Sequence, residues 1–348
     1  MTLLYTDVED ELRATVRAVL ADRCPPSAAP ARVEGEPCDL ELWKTLARDI
    51  GVAGLLIPEQ YGGAGASARE VAVVLEELGR AVAPVPFFTS AVLATHALLQ
   101  VGAAGPLGAM AEGESAAALA VPFAATPYRE VPSAVTLTGG RLSGQVRGVA
   151  GADVADVLLV PAGGVLHAVR AAGARVEVVP SLDLTRPLSN VTLDGAAAEP
   201  LGAFDLAETL RFGAGLLASE QLGVAEWCLE TTLAYVKERY QFARPVGSFQ
   251  AIKHRLADLW LDVVRARAAA RAATAADPVS AAVAQAWNAG VAVHAAEEAV
   301  QLHGGIGMTW EHPIHLYLKR AKSTEIALGT PGDHRDALAG LADLPAPA

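Results

Sequence analysis

Apolar residues recur every fourth position at Val8, Leu12, Val16 and Leu20, the spacing that lines one face of an α-helix, so residues 7–23 are predicted helical. A second helix is predicted over residues 40–50. After Leu55-Leu56-Ile57-Pro58 and the glycine-rich turn that follows, Val71, Val74, Leu75, Leu78 and Val82 resume the helical period, with Ser67 placed to cap it. Residues 89–104 predict one more helix. The pattern then changes to short β-branched runs separated by Gly, Pro and Asp, among them VADVLLVPA and ARVEVVPS. From Leu206 it returns to long helices, predicted at 206–240, 250–275, 279–303 and 313–323. The expected fold class is α+β: a helical domain over 1–115, a small β domain over 116–199 and a helical bundle over 200–348, whose closing LADLPAPA reads as frayed.

Composition narrows the function classes. Across 348 residues, 52% hydrophobic and 19% charged, there is enough apolar surface for a large core. The net charge of -12 argues against a nucleic-acid partner, which would need clustered Lys and Arg. Cys24, Cys38 and Cys228 are widely spaced with no CxxC, so neither a disulfide framework nor a zinc site is indicated and a cytoplasmic setting is expected. The first dozen residues carry acids rather than a basic start and an apolar run, and no stretch has the length and apolarity of a membrane span. Gly63-Ala64-Gly65-Ala66-Ser67-Ala68 matches a dinucleotide-loop pattern, but Ala83-Pro84-Val85-Pro86 stands where the partner acid should be. It reads as a turn between helices.

The most informative segment runs from Arg239 to His254, RYQFARPVGSFQAIKH: the end of one helix, a Pro/Gly turn and the start of the next. A guanidinium beside a helix N-terminus suits an anionic diphosphate. The same segment could equally be a solvated hairpin whose Arg239 pairs with Glu238 or another acid. About fifty residues on, Gln301-Leu302-His303-Gly304-Gly305-Ile306-Gly307 is followed by Glu311-His312-Pro313. His254 and His303 lie in these segments with no further ligand at metal-binding spacing, so packing and capping are expected of them, and no metal.

Together these segments resemble the two signatures of the acyl-CoA dehydrogenase family, the first departing at Ala243 for Gly and Val246 for Ile. The resemblance spans nearly the whole chain and implies that family's fold, with a β-barrel-like middle domain and a C-terminal four-helix bundle. It implies FAD as cofactor, an acyl-CoA thioester as substrate and α,β-desaturation as the reaction. It further implies that Arg239 and Phe242 touch the FAD of a neighbouring subunit, that Phe249 and Gln250 face that cofactor, and that Gln301, Gly304 and Gly305 border its diphosphate and adenine end, Thr330 being counted with them. Glycine there would let backbone N–H groups approach an anion.

The family's catalytic glutamate is missing. Aligned on Gly329-Thr330, its position holds Leu328, and the alternative position on the preceding helix falls at Phe212 or Gly213. Glu220, about two turns further along, is the one candidate base, or else a buried acid satisfied by an arginine. The middle-domain segments that embrace the flavin ring in the family correspond to 121–126 and 147–150, and neither keeps the usual residues. The leading expectation is a subunit that lends FAD contacts to a homologous catalytic chain in a hetero-oligomer. Alternatives are a self-sufficient, homo-oligomeric flavin oxidoreductase using Glu220, or a flavin-free thioester-binding or scaffold protein.

Overall fold

The computed structural model describes residues 3–29, 35, 38–132 and 134–342. Helix α1 (Asp7–Arg23) starts at a capping box in which Thr6 and Glu9 satisfy each other's backbone N–H groups. Helix α2 (Leu40–Lys44) continues through a wider π turn, Thr45–Asp49. Helix α3 (Ala68–Arg80) begins at the predicted Ser67, which forms a capping box with Glu70. The glycine-rich segment before it is the expected turn. The helix expected at 89–104 is instead a π-helical run, Phe87–Ala94, that passes into α4 (Thr95–Val101), stops at left-handed Gly102 and restarts as α5 (Ala104–Ala111). Of the closing LADLPAPA, residues 343–348 lie outside the described residues.

The middle of the chain forms two four-stranded sheets. One has the order β1 (Ala117–Leu119), β4 (Val157–Ala162), β5 (Val165–Arg170), β8 (Glu199–Ala203), with β1 and β4 parallel. The other has the order β2 (Val135–Thr138), β3 (Arg141–Ala150), β7 (Leu188–Ala197), β6 (Arg175–Val179), antiparallel throughout. Leu142, Val146 and Val191 of the second sheet meet Leu158, Val160 and Val169 of the first in a shared apolar core.

The bundle follows: α6 (Leu206–Glu238), α7 (Gln250–Ala273), α8 (Pro278–His303), α9 (Ile314–Ile326) and α10 (Pro331–Leu341). Much of α8's buried surface is alanine, which brings its neighbours close, and Asn288 uses that proximity by donating to the carbonyls of Ala218 on α6 (2.9 Å) and Ala266 on α7 (3.0 Å). Helices α3 and α6 cross nearer still. A Cβ on Gly79 would overlap the Glu220 carbonyl, and one on Gly223 would overlap the Glu76 carbonyl. Buried Glu76 and Glu77 beside that crossing are answered by Arg13 and Arg17 of α1, which ties the first helix to the third.

The crossing gives a paired test. Gly223→Ala should lower the unfolding free energy by about 1–3 kcal/mol through overpacking. Gly290→Ala, at a helical site where a Cβ meets nothing within 4 Å, should raise it by up to about 1 kcal/mol. Urea denaturation of the two variants measures both.

Candidate functional site

The Arg239 segment is a β-hairpin. Tyr240–Gln241 pairs with Arg244–Pro245, and the tip residues Phe242 and Ala243 both hold positive φ, 55° and 60°. That is the backbone of a two-residue type I′ turn, a conformation glycine and asparagine adopt far more easily. Neither is present here. The hairpin is held from below by Val246 N–H donating to the Arg239 carbonyl (2.8 Å) and by the Ser248 hydroxyl donating to the Pro245 carbonyl (2.6 Å).

At the tip Phe242 is 87% exposed, its ring edge-on to Phe249 at 6.3 Å. The Arg244 guanidinium lies 3.7 Å over the Phe249 ring. Among the described residues no acid pairs with Arg239 or Arg244, so the hairpin reading in which Arg239 pairs with Glu238 does not hold. Gln250 is exposed at the start of α7, where Phe249 supplies no side-chain cap.

The second signature segment lies against the end of α6 that leads into the first. Tyr235, one turn before Arg239, stacks on His303 with ring centroids 4.3 Å apart and donates to the His303 carbonyl (3.3 Å). His303 is buried and donates from Nδ1 to the Ala299 carbonyl (2.7 Å). His254 is exposed on α7, not packed as expected. Just past the stack, Gln301, Gly304 and Gly305 are exposed, Gly304 at φ 63° and ψ −139°, a region essentially restricted to glycine. This end of the bundle also exposes Tyr240, Met308 and Trp310. Thr330 sits apart from this group in the sequence of elements. It caps α10, its hydroxyl donating to Asp333 Oδ2 (2.8 Å) and accepting from Asp333 N–H (3.2 Å), so that side chain is already engaged.

The catalytic end has the opposite character. Leu328, at φ 55°, is 1% exposed, and its N–H donates to the Phe123 carbonyl of the middle region (2.9 Å). A Cβ on Gly213 would overlap Leu93 Cδ2 and lie 2.9 Å from Leu328 Cδ1. Both positions where a carboxylate would be sought are therefore packed against each other with an aliphatic side chain between them. Phe212 stacks on His96 at 4.3 Å, and His96 Nδ1 meets the Thr209 hydroxyl at 3.0 Å. Burial pushes the His96 imidazole down to about 4.

A hydrogen-bonded seam closes the same place. The Tyr128 hydroxyl meets His334 Nδ1 at 2.8 Å, and His334 Nε2 meets the Leu328 carbonyl at 3.1 Å. A carbonyl can only accept, so Nε2 carries the proton and Nδ1 accepts from Tyr128. Burial pushes the His334 imidazole down to about 4, consistent with one neutral tautomer. Arg129 pairs with Asp333 beside it. In the adjoining strand, Gly148 and Ala150 stand without side chains that could flank a ring, and the Gly148 carbonyl accepts from Phe123 N–H (2.8 Å).

Glu220, the sequence-derived candidate base, is 1% exposed and paired on both oxygens. Arg186 donates to Oε1 (3.0 Å) and also to Oε2, while Arg320 donates to Oε1 (3.2 Å). Arg320 continues to Asp183 Oδ2 (2.5 Å) and to the Thr185 hydroxyl (2.7 Å). Burial alone would raise the Glu220 and Asp183 carboxyls, but the two guanidiniums outweigh it and hold both below their ordinary values. An acid so held is ionised, with both of its oxygens engaged by guanidiniums. The tetrad itself was not legible in sequence, because Asp183 and Arg186 lie in a turn with no periodic signal.

Residues 6–105 match the model for the acyl-CoA dehydrogenase N-terminal domain and residues 202–340 that for its C-terminal domain. Acyl-CoA dehydrogenase IpdE2 of Mycolicibacterium smegmatis is 39% identical over 92% of this chain and 94% of its own length. Among solved structures, the ChsE4-ChsE5 complex of Mycobacterium tuberculosis contains a chain 32% identical, with a TM-score of 0.87 over 99% of this chain and 100% of that one. A Tcur3481-Tcur3483 steroid ACAD variant gives a TM-score of 0.86 at 32% identity over 97% of this chain and 98% of that one.

The tetrad's pH dependence has a definite sign. Because the native carboxyls of Asp183 and Glu220 bind protons less readily than unfolded ones, their stabilisation is present above about pH 4.5 and lost as pH falls through the lowered native values. Glu220→Gln, which leaves Arg186 and Arg320 short of a counter-charge, should cost about 3–5 kcal/mol and flatten that acid dependence. Denaturant titrations between about pH 3 and 7 check both.

Proposed function

The chain belongs to the acyl-CoA dehydrogenase family, and from that premise we propose that it is the supporting subunit of a heteromeric, FAD-dependent acyl-CoA dehydrogenase, lending FAD contacts in trans to a homologous catalytic chain. The observation that carries this reading is the contrast between two regions of the chain, the edge that would meet a neighbour's FAD and the chain's own ring end. At the edge facing a neighbour's diphosphate, Arg239 and Arg244 have no acid partner among the described residues, the first turn of α7 has no side-chain cap, and Gly304 and Gly305 are exposed. At the ring end, Leu93 and Leu328 pack against Gly213, and the Tyr128–His334 seam holds the Leu328 carbonyl beside them, so no carboxylate stands at either expected position. The residues fit the anionic end of FAD and not its reactive end.

Bound FAD supplies the hydride acceptor for desaturation of the thioester, and the matching α-proton abstraction needs a carboxylate within hydrogen-bond reach. No side chain at Leu328, Phe212 or Gly213 can take a proton. Here the chain's own contribution is to bind and orient: the guanidiniums hold negative charge, the glycines admit backbone contact, and the exposed Phe242 covers apolar surface from the neighbour. The related structures, the ChsE4-ChsE5 complex and the Tcur3481-Tcur3483 steroid ACAD, favour a homologous partner and a large apolar acyl group. A self-sufficient oxidoreductase using Glu220 is disfavoured by that carboxylate's two guanidinium partners.

Two outcomes test the reading. In the complex with its catalytic partner, Arg239→Ala should weaken FAD retention by about 1.5–3 kcal/mol, the range for hydrogen bonds to charged groups, with the fold intact. Flavin occupancy equal to that of the parent complex would sink the assignment. The chain alone should give no useful turnover with an artificial electron acceptor and a panel of acyl-CoA thioesters, since general-base catalysis supplies about 10²–10⁴-fold. Leu328→Glu should not rescue it, because the new carboxylate would enter a packed core without a pocket; robust turnover by the unassisted chain would overturn the proposal.

A further inference from the structure

We propose that His303, His312 and His315 form a proton-operated latch on the turn between α8 and α9, so that mild acid opens the segment carrying Gly304 and Gly305. Its consequence rests on the FAD reading above: the opened turn lets go of the flavin this chain helps to hold. The three imidazoles gather where α8 ends and α9 begins. The His303 and His312 rings lie 4.7 Å apart, and the His315 ring meets Trp310 edge-on at 4.5 Å. Tyr235 of α6 closes the other side of the cluster by stacking on His303. Among the described residues no three His, Cys, Asp or Glu side chains are placed to hold a metal, so a proton is what these ring nitrogens can take up.

The surroundings of each ring favour the neutral form. His303 is 3% exposed, its Nδ1 donates to the Ala299 carbonyl, and its bare Nε2 is buried with no partner. His315 Nε2 is likewise buried with no partner. A second proton would leave either ring with a buried N–H and no acceptor. His312 Nδ1 accepts from the Ile314 N–H (3.3 Å), one of the donors that the first turn of α9 cannot satisfy within the helix. Protonation there would set one N–H against another and uncap the helix.

The neighbouring charges act in the same direction. Lys319 of α9 holds Nζ 4.6 Å over the Trp310 ring, beside His315, and the positive end of the α9 dipole lies at His312 and His315. Glu311 in the turn is exposed, and among the described residues no carboxylate pairs with any of the three imidazoles. Burial lowers His303; burial and then His303 lower His312; burial, Lys319 and His312 together push His315 down to about 4. Native rings therefore bind protons less readily than unfolded ones, so the turn is fully stabilised above about pH 6.5 and loses that stabilisation as pH falls toward the native values. His303 directly precedes Gly304 and His312 stands at the far end of the same turn, so both ends loosen together.

Hydrogen exchange over residues 304–313, read by mass spectrometry at about pH 7.5 and about pH 5 with the intrinsic pH dependence divided out, tests the latch on the chain and on its complex with the catalytic partner. The readout is local because His96 and His334 are pushed down elsewhere in the fold and would colour a global unfolding curve. The parent should exchange there about tenfold faster in acid, and the complex should lose flavin over the same range. His312→Asn keeps an acceptor for the Ile314 N–H and His315→Phe keeps the contact with Trp310; together they should remove most of the acid response, and adding His303→Gln should abolish it. Should the triple variant fail to fold, the double variant decides. Equal exchange at the two pH values in the parent, or an acid response that the double variant keeps in full, would overturn the proposal. An acid-opened turn in a complex that keeps its flavin would support the latch and count against the FAD reading instead.

Discussion

The structure turns on one buried ionic tetrad. Asp183 and Arg186 come from the turn between β6 and β7, Glu220 from α6 and Arg320 from α9, so four charges tie the middle sheets to two helices of the bundle. Enclosing them requires that every donor and acceptor be answered, since desolvation otherwise exceeds the attraction between the charges. Thr185 completes the set by accepting from Arg320 and donating to Asp183. The far face of Arg186 then lies 5.5 Å and 5.7 Å from the rings of Phe88 and Phe123, and the Phe123 carbonyl fixes Leu328. The closed catalytic end thus follows from a chain of contacts beginning at an ion pair one helical layer away.

The two regions obey different physics, and on the proposed reading this is why one sequence can keep the edge that meets a neighbour's FAD and lose its own ring pocket. Holding a diphosphate takes exposed cations on a rigid edge, and the hairpin presents Arg239 and Arg244 at the surface. Proton abstraction takes an ionisable group in a cavity with room for substrate. Once Leu328 replaces an acid, nothing stabilises such a cavity, and Leu93 and Leu328 are free to close it by burying apolar surface. His96 and His334 stay neutral under the same burial and add no charge to the sealed region.

Much of this was legible in the sequence because it is local. The periods at 7–23 and 71–82, the Ser67 cap and the long helices of the bundle depend on neighbours within a few residues, and the structure shows them with small shifts at their ends. The π turns at 45–49 and 87–94 were not legible, since a widened helix has no distinct pattern of residues and is set by what packs around it. Leu328 showed that a base was missing but not that its space was filled, because Leu93 and Gly213 are brought to it only by the tertiary fold. For Glu220, sequence left a base and a paired acid both open; the guanidiniums that pair with it, of Arg186 and Arg320, lie 34 and 100 residues away.

The central claim, that this chain holds one end of a flavin site and cannot itself accommodate an acyl thioester, is tested most directly by calorimetric titration with a redox-inert acyl-CoA thioether. The account predicts no binding to the chain alone and one thioether per pair of chains in the complex with the catalytic partner. One thioether bound per copy of this chain, alone or in the complex, would contradict it.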